Sequence, residues 1–143
     1  MPTEEAAPLA GLRIVEISSF VAAPLGGMTL AQLGAAVVRV DPVGGAADVT
    51  RWPLAPSGAS LYWTGLNKGK RSVTLDFRSD RGRDTLRDLV AGSGPDGGIV
   101  LTNADFPWLS YEALSKRRPD LIHLKITGRR GGGPAVDLSL IHI

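Results

Sequence analysis

An alternation of apolar strands and a helix at the start of the chain restricts the fold more than any other feature. Residues 11–18, "GLRIVEIS", predict a buried strand, and residues 36–42, "AVVRVDP", predict a second one. Between them, residues 22–35 predict a helix, with Pro24 in its first turn and Gly34 where a helix can stop. A strand, a helix and a strand within about 30 residues form a βαβ unit whose strands run parallel.

The same alternation continues along the rest of the chain. The further predicted segments are strands at 72–77, 97–103 and 121–128, a surface loop at 43–60, a helix that begins after the N-cap residue Ser79, and a short helix at 110–117. This order predicts an α/β fold, a Rossmann-like open parallel sheet with flanking helices on both faces. We assign residues 9–137 to this domain and residues 1–8 to a disordered N-terminal tail.

The composition excludes several classes of function. With 16 basic and 14 acidic side chains the net charge is only +2, too small an excess to predict nucleic-acid binding. Cysteine is absent, which excludes disulfides, thiolate metal sites and a cysteine nucleophile, and no metal site is predicted. No apolar run approaches the roughly 20 residues that span a bilayer, and the acidic start "MPTEEAAP" does not resemble a signal peptide. We therefore expect a soluble, cytoplasmic protein that does not contact membranes.

The loops that follow the strands are the candidate ligand-binding region. In open α/β sheets, ligands bind beyond the carboxyl ends of the strands, which selects residues 18–23, 41–48, 77–80 and 103–107. The first of these loops, "SSFVAAP", leads into a helix whose first N–H groups attract anions. Asp41 stands where a ribose-binding acid would stand in a dinucleotide site, but the chain has no G-x-G-x-x-G, so a nicotinamide or flavin site is the weaker interpretation.

Basic side chains cluster around the third predicted strand, in "LNKGKRSVTLDF". Lys68, Lys70 and Arg71 precede this strand, and Arg78 follows it. A solvated edge of the sheet would explain such a cluster. Several flexible cations at the rim of a sheet also suit the phosphates of a nucleotide-bearing ligand. The cluster alone leaves both interpretations open.

Two polar side chains fall inside predicted strands. Arg39 lies in the otherwise apolar second strand, and a charge there requires a partner. His123 lies in the apolar fifth strand, where a core histidine with its hydrogen bonds satisfied is a better interpretation than a catalytic one.

Two ordered blocks resemble one known family. Residues 9–51, "LAGLRIVEISSFVAAPLGGMTLAQLGAAVVRVDPVGGAADVTR", resemble the opening of the family III CoA-transferases, which include formyl-CoA transferase and α-methylacyl-CoA racemase. Residues 62–77, "YWTGLNKGKRSVTLDF", resemble the next block, an Asn, a Lys/Arg cluster and S-[IV]-x-L-D. The resemblance covers about residues 9–137. It implies the N-terminal, incomplete part of the family's large domain, and coenzyme A or an acyl-CoA as the ligand.

The resemblance also implies which residues bind the ligand. Phe20 and Val21 fall on the turn that contacts CoA by its backbone and apolar surface, and Leu75 and Arg78 flank the nucleotide. Whether the Lys-Arg pair of the second block touches CoA or only sets its potential stays open. The full implied set is Phe20, Val21, Ala22, Arg39, Lys70, Arg71, Leu75, Arg78 and Asn103.

The chain departs from the family pattern at two places. Many members carry Arg directly after the acidic residue of the second strand, where this chain has Pro42, so one cationic contact is expected to be missing. The family often reads "ENFRPG" after the fourth strand, whereas this chain reads "TNADFPW" and retains only Asn103. These departures indicate a divergent branch.

No catalytic residue is expected within this sequence. The resemblance places the Asp that forms a mixed anhydride in the transferases beyond the end of the chain. Racemases of the family use a His–Asp pair, and Val136 stands at the His position of the block that resembles "G-H-D-x-x-Y". We therefore expect CoA transfer between carboxylic acids by the full-length protein and no activity from this chain alone. The alternatives are 2-methylacyl-CoA racemisation and a non-catalytic CoA- or nucleotide-binding module.

The end of the chain carries a separate expectation. Residues 138–143, "LSLIHI", match the translation of the end of a common sequencing-library transposon and are interpreted as non-native read-through. The chain is thus expected to be an N-terminal fragment of a protein that forms an interlaced homodimer. Without the rest of its large domain, such a fragment is expected to expose apolar surface.

Overall fold

The computed structural model describes residues 7–130, which form a five-stranded sheet with helices on its two faces. In chain order the elements are β1 (Arg13–Ile17), α1 (Ala22–Gln32), β2 (Ala36–Pro42), α2 (Leu61–Leu66), β3 (Arg71–Leu75), α3 (Asp80–Ala91), β4 (Ile99–Thr102), a 3-10 helix (Pro107–Leu109), α4 (Tyr111–Ser115) and β5 (Ile122–Lys125). Residues 1–6 of the predicted tail and the predicted read-through segment 138–143 lie outside the described residues. No helix in the described part is long and apolar enough to cross a bilayer.

All five strands are parallel, in the order β3-β2-β1-β4-β5. In the centre of the sheet, Val15 of β1 pairs with Val38 of β2 on one side and with Val100 of β4 on the other. The chain builds outward from β1 to β3 and then returns to the other side of β1, which creates a switch point between β1 and β4. The predicted Rossmann-like open sheet is confirmed.

Local signals set the limits of the helices. The Oγ of Ser79 accepts a hydrogen bond from the N–H of Gly82 at 3.0 Å, as expected of the N-cap of α3. Helix α1 ends just before Gly34, whose φ of +105° favours glycine. The short helix α2, capped by Ser60, was not predicted.

The two faces of the sheet differ in the side chains that they bury. One face carries the larger apolar core, in which Val15 and Val40 pack with Leu86 of α3 and Leu114 of α4. The other lies under α1 and carries a smaller core around Ile14, Val37 and Leu101. Because side chains alternate along a strand, Glu16, Arg39 and Asp41 lie on this second face, towards the carboxyl ends of β1 and β2. The buried charges of β1 and β2 therefore lie on the face that α1 covers.

Strand β5 leaves apolar side chains exposed at the edge of the sheet. Ile122 is 61% exposed and Leu124 is 54% exposed. His123, between them, is half-buried, and its Nε2 lies 2.9 Å from the carbonyl oxygen of Leu109. A carbonyl can only accept, so this nitrogen donates, and the interpretation of His123 as a satisfied core residue fits the structure.

Candidate ligand-binding cleft

A cleft of about 590 Å³ lies at the carboxyl edge of the sheet. All four loops selected from the sequence contribute to its lining, through residues such as Ser19, Ala46, Phe77 and Asn103. The loops meet because the carboxyl ends of parallel strands lie at one edge, on both sides of the switch point. That a ligand binds in this cleft stays a prediction.

Aromatic rings form one wall of the cleft. The rings of Phe106 and Trp108 are stacked, with centroids 5.3 Å apart and an angle of 13° between their planes. Phe77 meets Phe106 edge-on, at 6.1 Å and 66°. Phe106 and Trp108 belong to the segment that departs from the family pattern after β4. This segment supplies a flat apolar surface to the wall of the cleft.

Arg78 is the one cation in the described lining of the cleft. Its side chain is 92% exposed and lies 3.7 Å from the carboxylate of Asp76. An exposed ion pair of this length contributes little and leaves the guanidinium free to move towards a ligand. Leu75, the last residue of β3, is half-buried and packs on the larger core below the cleft.

Asn103 connects β4 to the loop that follows β1. Its Oδ1 accepts a hydrogen bond from the N–H of Ser19 at 3.0 Å, and its Nδ2 donates to the carbonyl oxygen of Ser19 at 2.9 Å. Asn103 lines the cleft as expected, but these two bonds make it foremost a residue that positions the neighbouring loop. Its contact with CoA stays a prediction.

Phe20 has an unusual backbone conformation at the start of α1. Its φ is +65°, in the left-handed region that costs a non-glycine residue on the order of 1–3 kcal/mol. The N–H of Phe20 donates to Oδ2 of Asp48 at 3.0 Å, which holds this conformation. Val21 and Ala22 follow as the N-cap and first residue of α1. The N–H groups of Ser19 and Phe20 are thus taken by protein acceptors, so these two do not provide the anion site expected of this turn.

Arg39 is buried, with an exposed fraction of 1%. Its Nε donates to Asp41 at 3.0 Å, its Nη1 to Asn67 at 2.8 Å and its Nη2 to Asp48 at 3.2 Å, and it lies 5.4 Å from the ring centre of Trp63. The partner that a charge in this strand requires is therefore present. A direct contact between Arg39 and CoA remains a prediction. Because protein groups enclose the guanidinium, the structure favours an indirect role for Arg39.

The side chain of Lys70 is also buried, with an exposed fraction of 2%, although it belongs to the basic cluster "KGKR". Its Nζ donates to Oε1 of Glu16, to the carbonyl oxygen of Pro24 and to Oδ1 of Asn67, each at 2.8 Å. These three bonds use every hydrogen of the ammonium group. Lys68 and Arg71, its neighbours in the cluster, are exposed. Of the nine residues implied by the resemblance, only Arg78 and Asn103 line the cleft.

Burial shifts the pKa values of the Glu16–Lys70 pair in opposite directions. Burial raises the pKa of Glu16, and the hydrogen bonds from Lys70 and Ser18 only partly offset this effect. Burial likewise lowers the pKa of Lys70, against the opposing effect of Glu16. Each charge is therefore tolerated mainly because the other is present.

We expect this pair to make stability depend on pH. A carboxyl whose pKa is raised by folding binds its proton more tightly in the folded state. Its contribution is therefore greatest below the unfolded value of 4.5 and declines as pH rises through the raised pKa. Urea denaturation of the wild type and of Glu16→Gln, from that pH to neutrality, should show the wild type losing stability relative to the variant. A difference that stays constant with pH would contradict the shift.

Sequence reasoning missed several residues that build the site. Asp48, Asn67 and Glu16 are all buried and each contacts Arg39 or Lys70, yet none was a candidate site residue. For Glu16, the signal was available, since an acid in an apolar strand requires a partner as much as Arg39 does. Asp48 and Asn67 stand in the two blocks that resemble the family, but neither was assigned a role in the site.

Comparison with known proteins identifies relatives over most of the chain. The model of CoA-transferase family III matches residues 9–139. A 2-methylfumaryl-CoA isomerase of Chloroflexus aurantiacus is 54% identical over 92% of the chain, and a succinate–glutarate CoA-transferase of Agrobacterium fabrum is 31% identical over 92%. The chain spans 33% and 35% of their respective lengths.

The fold comparison gives the same result. The crystal structure of a CAIB/BAIF family protein from Brucella suis superposes with a TM-score of 0.78 and 36% sequence identity. The match covers 91% of this chain and 36% of that one. The described sheet and its flanking helices therefore correspond to part of a larger protein.

Proposed function

The chain belongs to CoA-transferase family III, and on that premise we propose that its full-length protein binds a CoA thioester and transfers CoA between carboxylic acids. The observation that carries this proposal is the cleft at the carboxyl edge of the sheet, where an uncommitted Arg78 stands beside an aromatic wall. The resemblance places the nucleophilic Asp outside this sequence, so this chain alone is expected to be inactive. The interlaced homodimer and the cytoplasmic location also stay predictions.

The cleft suits the nucleotide end of CoA. Flat aromatic side chains such as Phe106 offer a π-face on which a base can stack. An arginine that is free to move can pair with a phosphate oxygen through two parallel hydrogen bonds. The loop that carries Ser19 and Phe20 is held by Asn103 and Asp48, so its surface is formed before the ligand arrives.

The acids are proposed to be dicarboxylic. Both named relatives act, by their names, on compounds of this class: 2-methylfumaryl-CoA in one case, succinate and glutarate in the other. The 54% identity to an isomerase favours, as a second candidate, rearrangement within a single acyl-CoA. Racemisation of a 2-methylacyl-CoA and binding of CoA without catalysis are weaker candidates, since no contact of the described residues favours either of them.

One experiment separates these functions. The full-length protein is mixed with a dicarboxylic acyl-CoA and a labelled free acid in deuterated water. Label in the thioester indicates intermolecular transfer, an isomeric thioester without label indicates rearrangement, and deuterium at the α-carbon indicates racemisation. Binding of CoA without any of these three products indicates a module that binds CoA without catalysis. If calorimetry at low salt gives no heat with CoA, the proposal fails.

Replacing Arg78 by glutamine is expected to weaken CoA binding about tenfold, which is the loss of one charge-assisted contact at an exposed position. Calorimetric titration of the full-length protein with CoA at low salt measures this change. Lys68→Gln is the matched control, because Lys68 is also an exposed cation but does not line the cleft. Equal dissociation constants for the wild type and Arg78→Gln would remove Arg78 from the site.

A further inference from the structure

Arg51 differs from Arg39, the buried arginine of the site, because its guanidinium N–H groups make no hydrogen bond to any residue in the range 7–130. Its guanidinium carbon lies 5.1 Å from the ring centre of Phe20 and 4.9 Å from that of Tyr62. Within the range 7–130, the guanidinium has these two ring contacts but no ion pair and no hydrogen bond to an acceptor. The comparison with Arg39 is direct, since Arg39 also lies over a ring but donates to two aspartates.

The backbone around Arg51 is fixed on both sides. Its N–H donates to the carbonyl oxygen of Asp48 at 3.1 Å, and its own carbonyl oxygen accepts from the hydroxyl of Ser60. Asp48 also receives the N–H of Phe20, so the loop that carries Arg51 and the ring beneath it are connected through one buried carboxylate. Ser19 and Ala47, the chain neighbours of Phe20 and Asp48, line the cleft. Arg51 itself does not line the cleft, but its support is directly connected along the chain to two residues that do.

A guanidinium in this setting is suited to one carboxylate. Ring contacts reduce its freedom and its access to water, while its N–H groups keep the planar fork that matches two carboxylate oxygens. A diphosphate would require more positive charge than Arg51 supplies. The buried cation Arg39 is already paired with Asp41 and Asp48.

We infer that Arg51 binds the free carboxylate of the acyl group or acceptor acid and so selects dicarboxylic over monocarboxylic substrates. The inference rests on the proposed function for the identity of the acid. It assigns to this edge of the cleft a second ligand contact, separate from the one proposed for Arg78. The two contacts differ in chemistry, because one takes a phosphate of CoA and the other a carboxylate.

Calorimetry with two acids of equal length tests the inference. Succinate and butyrate differ by one carboxylate, and each is titrated into the full-length protein with and without CoA. We expect the wild type to bind succinate more tightly than butyrate. Arg51→Gln should weaken succinate binding at least about tenfold, which is the loss of a charge-assisted hydrogen-bond pair. Its affinities for butyrate and for CoA should not change.

Two further variants make the result specific. Arg51→Lys keeps the charge but loses the fork, so its affinity for succinate should fall between those of the wild type and Arg51→Gln. Arg13→Gln removes an exposed arginine at the opposite edge of the sheet and should change none of the affinities. If Arg51→Gln does not fold, a normal succinate affinity in Arg51→Lys overturns the bidentate contact.

Other outcomes overturn the inference directly. These are equal binding of the two acids by the wild type, an equal loss for both acids in Arg51→Gln, or a loss of CoA affinity in that variant, which would make Arg51 a phosphate ligand. Failure of the proposed function looks different. In that case CoA gives no heat with the wild type, while the preference for succinate and its dependence on Arg51 persist.

Discussion

Replacing Lys70 by methionine is expected to lower the free energy of unfolding by about 3–5 kcal/mol, the usual cost of leaving one member of a buried ion pair without its partner. Methionine fills the volume of the lysine stem but cannot donate to Glu16, which is fully buried, or to the carbonyl oxygen of Pro24. Within residues 7–130, Oε2 of Glu16 already has no hydrogen-bond partner, so the variant would leave this carboxylate with only the hydrogen bond from Ser18 and the guanidinium of Arg39 at 4.0 Å. Urea denaturation at neutral pH measures the loss.

Lys68 is the matched control for Lys70. It belongs to the same cluster, two residues earlier, but it is exposed, so Lys68→Met should change stability by no more than about 0.5 kcal/mol. Adding Glu16→Leu to Lys70→Met removes the unpaired acid and should recover part of the loss. Equal effects of the two lysine variants would show that the buried pair does not stabilise the protein.

The sheet could be predicted from the sequence because its central strands are short, continuous apolar runs. The sequence from Ile14 to Ile17 and that from Val37 to Val40 each contain one charge among buried or half-buried aliphatic side chains, and helices separate such segments along the chain. Parallel order then follows from the βαβ connections. Helix α2 could not be predicted in this way, because "LYWTGL" is too short for a helical period and contains Gly65.

The location of the cleft could also be predicted, since it depends only on where parallel strands end. The environments of the individual cations in the basic cluster could not be predicted. Gly69, with φ of +78°, turns the chain between Lys68 and Lys70, so that the two lysines have opposite environments. The acceptor that draws Lys70 inward, Glu16, lies 54 residues earlier in the chain. A local pattern carries no information about such a distant partner.

Arg39 shows the same limit on what a local sequence pattern can predict. Its position in an apolar strand predicted that it has a partner, and its neighbour Asp41 was a reasonable candidate. Asp48 was not, because it stands in a segment whose Gly, Pro and Ser content predicts a surface loop. Its exposed fraction is 1%, since the loop folds back over the end of β2 and brings this carboxylate to Arg39 and Phe20. The hydrogen bonds that Asp48 accepts from Arg39 and from the N–H of Phe20 compensate for the burial of its carboxylate, against the local preference for solvent.

Replacing Gly27 by alanine tests whether α1 is fitted to this buried network. In most helices the change from glycine to alanine stabilises by roughly 1 kcal/mol, but at Gly27 we expect a loss of about 2–3 kcal/mol from overpacking. A Cβ at Gly27 would lie 1.7 Å from Oε2 of Glu16 and 2.8 Å from its Cδ. Glu16 cannot turn away easily, because Lys70 and Ser18 both hold its Oε1.

The adjacent Gly26 provides the control for this prediction. A Cβ there would meet only Cδ2 of Leu101, at the ordinary distance of 3.7 Å, so Gly26→Ala should be neutral or stabilising by up to about 1 kcal/mol. Urea denaturation of the two variants should therefore give changes of opposite sign. Because the network also holds Phe20 at the start of α1, Gly27→Ala should weaken CoA binding as well, whereas Gly26→Ala should not. If the two alanines behave alike, the carboxylate of Glu16 does not lie against α1, and the packing that links the buried charges to the cleft is wrong.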